Sequence, residues 1–105
     1  MNTKEVPDPH NPLLTKLARE VGAKCLKIIP HKPRVDSTPM NCLKDVFKQI
    51  QEHGGALKLA ASLFEIKGGF FWQTHAIWKS AAGELIDVSN HHGFDGKGEV
   101  LVALF

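Results

Sequence analysis

Cys42, His75 and Asp87 are the residues of this chain whose side chains could do covalent chemistry together. A thiolate is a strong nucleophile, an imidazole moves protons near neutral pH, and a carboxylate can hold the imidazole in one orientation. Cys42 follows Asn41 and opens a stretch in which Leu43, Val46, Phe47 and Ile50 share one helical face. In the first turn of a helix, unpaired N–H groups and the helix dipole favour thiolate over thiol. The plain alternative is a packing cysteine, since free cysteine is among the most buried residue types. Cys25 lies in the apolar run Cys25-Leu26-Lys27-Ile28-Ile29 with no matched partner and reads as packing.

His75 and Asp87 belong to Thr74–Val88, where apolar and polar residues alternate, break at Ser80-Ala81-Ala82-Gly83, and alternate again. This predicts a β-hairpin whose turn uses Gly83 at a positive φ. If odd positions pair with odd, His75 and Asp87 project from one side, opposite or one diagonal apart, within hydrogen-bond reach. A one-residue slip would separate them. His91-His92 in the following Gly-rich loop invites a metal reading. Adjacent histidines in a strand point opposite ways, however, and no third ligand lies nearby in sequence, so no metal and no cofactor are expected. Zinc ligation by Cys42, His75 and Asp87 is the other use of those residue types. The loop reads as a flap beside the site, or as having no role.

The elements that must position these residues come in a simple order. Residues 1–10 read as a flexible arm and 11–105 as a single domain. Asn11-Pro12 caps a first helix over about 12–21, with Leu13, Leu14, Leu17, Ala18 and Val21 on its stripe and Gly22 as its stop. The Cys25–Ile29 run is a strand or an extended packing segment, followed by a loop with Pro30 and Pro33. A second helix begins at Thr38-Pro39 or at Asn41-Cys42 and runs to His53, where Gly54-Gly55 ends it. Ala56–Ile66, Phe70–Lys79, Glu84–Ser89 and Glu99–Phe105 read as strands, the first two joined through Lys67-Gly68-Gly69. The expected fold class is therefore α+β: two N-terminal helices packed on a C-terminal antiparallel sheet of about four strands. Trp72 and Trp78 are expected to pack against the helices.

The composition is globular, with 43% hydrophobic and 23% charged residues and a net charge of +2. Basic residues are scattered, so no nucleic-acid partner is expected. No apolar run is long enough for a bilayer span, and Met1–Asp8 lacks a signal-peptide core, so no membrane partner and a cytoplasmic location are expected. The two cysteines have no Cys-x-x-Cys spacing and suggest no disulfide framework. The apolar run Val100–Phe105 is either central in the sheet or an edge needing cover, and the edge option would permit a homodimer.

Asn41-Cys42-Leu43, His75-Ala76-Ile77-Trp78 and Gly83-Glu84-Leu85-Ile86-Asp87-Val88, in that order, resemble the papain-like and transglutaminase-like thiol hydrolase core. Small bacterial and phage proteins on the same skeleton look similar. The resemblance covers about residues 38–104 and implies a minimal papain-like domain. It implies Cys42 as nucleophile, His75 as base and then acid, and Asp87 as the group orienting the imidazole. It also implies an oxyanion donor, for which Asn41 and Gln73 are the candidates. The implied activity is a small hydrolase or acyltransferase acting on an amide, isopeptide, ester or thioester bond of a protein or peptide substrate. The alternative is a non-enzymatic interaction module, inhibitor or scaffold, on a degenerate form of the fold.

Overall fold

The computed structural model describes residues 3–67 and 69–105. Asn11 starts the first helix, α1 (Pro12–Glu20), its side-chain oxygen accepting from the Leu13 N–H at 2.9 Å. Next comes a strand, β1 (Cys25–Pro30), and only then the second helix, α2 (Cys42–His53). Strands β2 (Ala56–Ile66), β3 (Gly69–Lys79), β4 (Leu85–Ile86) and β5 (Glu99–Leu104) complete the order. The α+β class holds, but the two helices do not both precede the strands, and the antiparallel sheet has five strands rather than about four. The reason is a pairing between remote segments: β1 runs antiparallel to β5, with Cys25 opposite Leu104 and Pro30 opposite Glu99. No local periodicity announces such a partner.

The sheet order is β1-β5-β2-β3-β4. The apolar strand β5 is therefore interior, between β1 and β2, and offers no free edge for pairing with another chain. Strand alternation divides the core in two. On one face Leu14 of α1 packs with Ala61, Leu63, Leu101 and Ala103, while Val46 of α2 packs with Ala76, Trp78 and Val88. On the other face Ile29, Ala60, Phe64, Ile77, Val100 and Val102 form a cluster that Leu85 and Phe94 cover. Trp78 also donates from Nε1 to the Gly54 carbonyl at 2.8 Å, fastening the end of α2 to β3. Gly55 (φ 88°) passes so close to this contact that a Cβ there would lie 2.3 Å from the Lys79 carbonyl oxygen.

The hairpin turn forms as expected: Gly83 has φ 91°, and its N–H donates to the Ser80 carbonyl at 2.9 Å. Trp78 pairs with Ile86 and Lys79 with Leu85, so odd positions do meet odd. The third hairpin strand is nevertheless short, two residues rather than Glu84–Ser89. After Ile86 the chain leaves β3 and joins the continuation of β1. The Asp87 N–H donates to the Pro30 carbonyl at 3.0 Å, Lys32 N–H to the Asp87 carbonyl at 2.8 Å, and Arg34 N–H to the Val88 carbonyl at 3.0 Å. The two margins of the sheet thus meet at His31 and Asp87, curling it around the inner cluster.

The segment read as an arm lies against the sheet over its described residues. Glu5 and Glu65 exchange backbone hydrogen bonds at 2.8 Å, Lys4 N–H donates to the Gly93 carbonyl, and Pro7 is fully buried. Met1 and Asn2 of that arm, and Gly68 of the Lys67-Gly68-Gly69 turn, lie outside the described residues.

Candidate active site

Cys42 is the first residue of α2, half-buried at the free margin of β3 that opens where β4 departs. His75 and the backbone N–H groups of Ala76 and Leu43 neighbour its thiol and hold its pKa below the ordinary thiol value, against the opposing effect of burial. The preceding turn is tight: Met40 adopts a left-handed φ of 69°, uncommon for a non-glycine residue, and so directs Asn41 and Cys42 into the helix. Ser37 braces the entry. Its hydroxyl donates to Asp45 of α2 and accepts from the Asn90 N–H, each at 2.8 Å. Arg34 holds the same loop to α2 through Gln49 and Glu52.

His75 sits on β3, 4% exposed, and its Nε2 lies 2.9 Å from Oδ1 of the fully buried Asp87. This leaves Nδ1 of the ring for the thiol. Burial alone would lower the His75 pKa, but the bonds to Asp87 and Cys42 outweigh it and hold the imidazole at about 9. Burial would likewise raise Asp87. Its two histidine partners overcome that and keep its carboxyl well below the usual carboxylate range. The arrangement puts thiol, imidazole and carboxylate in sequence, and the directions of the three shifts favour the charged form of each group.

Asp87 has a second partner that the reading of the sequence missed. His91 Nε2 lies 2.5 Å from Oδ2, so two histidines share one carboxylate, and the Ser89 N–H adds a bond to Oδ1 at 3.1 Å. His31 stacks beside His91 with ring centroids 5.2 Å apart, its Nε2 2.7 Å from the Ser89 carbonyl oxygen. His91 and His92 do point opposite ways, one buried and one exposed, yet a third candidate ligand is close after all. Donor atoms of His31, Asp87 and His91 lie within 4.8 Å of one another. These residue types could hold a divalent cation; here His31 meets the Ser89 carbonyl and His91 meets Asp87. The i, i+4 spacing of Asp87 and His91 was the one sequence signal for it; His31 arrives only through closure of the sheet.

The two oxyanion candidates differ in position. Asn41 turns its amide to the Thr38 hydroxyl, away from the thiol. Gln73 lies two residues before His75 on the same face of β3, and none of the hydrogen bonds among the described residues uses its side chain. It lines a cavity of about 370 Å³ together with Pro39, Met40, Phe71, Asn90 and His91. No family model, curated protein or solved structure matches the chain.

Proposed function

We propose that this protein is a small thiol hydrolase or acyltransferase in which Cys42, His75 and Asp87 act as a triad on the plan of the papain-like and transglutaminase-like enzymes. The observation that carries the proposal is the position of His75, buried, bonded through Nε2 to Asp87 at 2.9 Å and next to the Cys42 thiol, whose pKa it lowers. The Cys42 thiolate attacks a carbonyl carbon, and the displaced electron pair moves to oxygen. The N–H groups at the start of α2 and the Gln73 amide supply donors for that oxyanion. His75 gives its proton to the leaving amine, alcohol or thiol, and an acyl-thioester remains on Cys42. His75 then takes a proton from water or an acceptor amine, whose attack releases the acyl group and restores the thiolate. Deamidation, peptide cleavage and acyl transfer share these steps. Free thiols and the fact that no helix among the described residues is long and apolar enough to cross a membrane are compatible with a reducing cytoplasm.

The test is the pH dependence of Cys42 alkylation by iodoacetamide, in a Cys25→Ser background because Cys25 is exposed. A thiol pKa well below about 8.5 that rises in His75→Ala is the expected result. An ordinary pKa indifferent to His75 would overturn the proposal. A second reading, a non-enzymatic interaction module, draws on Met40 at 90% and Phe71 at 41% exposure beside the site. It predicts that Cys42→Ala retains the full biological effect.

A further inference from the structure

The cavity lined by Gln73 and His91 has an uneven chemistry. Its lining includes Met40, two residues before Cys42, Gln73, two before His75, and His91, which bonds Asp87, so the cavity opens toward the proposed triad. Pro39, Met40 and Phe71 give it an apolar wall, and Lys4, His91 and His92 its titratable groups. The chain has 11 Asp and Glu residues, yet no carboxylate lines this cavity. Lys4 is held there from its backbone, donating to Gly93 and accepting from Asp95. Its ammonium stands 5.2 Å from the Phe71 ring centroid and 5.5 Å from that of Phe64. No salt bridge among the described residues involves it. Arg34, by contrast, is closed off by Asp36 and Glu52.

An ammonium fixed over aromatic faces, with no acidic partner and an apolar wall beside it, is complementary to a ligand that is anionic at one end and apolar at the other. Resting on the thiol hydrolase reading, we infer that the substrate is an amide or ester carrying a free carboxylate. Its apolar part lies against Pro39, Met40 and Phe71, and its carboxylate pairs with Lys4. Lys4 is then a specificity residue: it selects which acyl compound reaches Cys42 and takes no part in bond making.

Two alkylating reagents of one shape test this. Iodoacetate and iodoacetamide both react by attack of Cys42 Sγ on the CH₂ carbon, forming C–S and releasing iodide, and they differ in charge. The readout is the ratio of their rate constants at Cys42, in the Cys25→Ser background. The ratio falls about twofold in Lys4→Gln, the size expected for a screened charge near the site, and Lys4→Arg restores it. Lys16→Gln on α1, which removes the same net charge far from the cavity, leaves the ratio unchanged. A ratio indifferent to Lys4, with a fast thiol, would overturn the inference and spare the thiol hydrolase reading. Alkylation by both reagents at the rate of an ordinary thiol would overturn both.

Discussion

Both helices begin after an asparagine, and the two asparagines do opposite things. Asn11 caps α1, its side chain accepting the Leu13 N–H at 2.9 Å. Asn41 occupies the same position before α2 but makes no capping hydrogen bond, its amide turned instead to Thr38. The amide that a cap would compete for, that of Leu43, instead helps to lower the Cys42 thiol pKa. One helix start is invested in stability, the other is left open for a negative charge. Under the proposed function, the difference puts the reacting group at the terminus where a common stabilising bond is withheld.

The strongest way to break the contrast is to remove what the open terminus is wired to. Asp87→Asn takes a buried carboxylate from two histidines. It should cost about 3 kcal/mol or more of unfolding free energy, measured by urea denaturation, and should slow Cys42 alkylation. Next is His75→Ala. Without the imidazolium, the thiol pKa climbs and the alkylation rate at pH 7 should drop about ten- to hundredfold, while the stability of α1 is untouched.

The same wiring sets a pH signature. In the folded protein His75 is pushed up to about 9, above the ordinary imidazole value of 6.5. Its contribution to stability is therefore complete below 6.5 and is lost as pH rises through about 9. Urea midpoints should decline over that interval in the wild type, and the decline should be smaller in His75→Gln. Asp87 acts in the opposite sense: its depressed pKa gives stability that is lost only as pH falls below the usual carboxylate range.

Smaller effects sharpen the comparison of the two asparagines. Asn11→Ala should cost about 1 kcal/mol, whereas Asn41→Ala should cost a few tenths at most, since there is no cap to lose. Asn41→Asp should do something that Asn11→Asp cannot. A carboxylate at the open terminus competes with the thiolate for the same positive potential, so alkylation should slow severalfold and the thiol pKa should rise.

Much of this was legible locally. The Leu43, Val46, Phe47, Ile50 stripe put Cys42 at a helix start, and the Ala-Ala-Gly break set the register that brings Asp87 to His75. Asn11-Pro12 and Gly54-Gly55 marked helix ends through side-chain capping and backbone freedom. What was not legible depends on contacts between distant segments. The pairing of β1 with β5 added a strand between the helices, and the departure of Asp87 toward Pro30 shortened β4. His31 is the plainest case. It lies between two prolines in a stretch that reads as loop, and only the meeting of the sheet margins sets it beside Asp87 and His91. Phe47, placed on the buried stripe, is 56% exposed, because α2 meets the sheet along Val46 with Ile50 partly buried, and the stripe is narrower than its apolar letters suggest.

The meeting of the sheet margins also fixes a timetable. Asp87 is held from behind by Pro30 and Lys32, whose strand is held in turn by residues 99–104, themselves seated against β2. These are pairings of large sequence separation, which form late because loop closure precedes any gain from contact. A chain with α2 and the β2–β3 hairpin already in place has its cysteine at a helix start and its histidine on a strand, but the carboxylate behind the histidine is not yet anchored. On the proposed function, closure of the sheet margins is thus the step that completes the group behind His75.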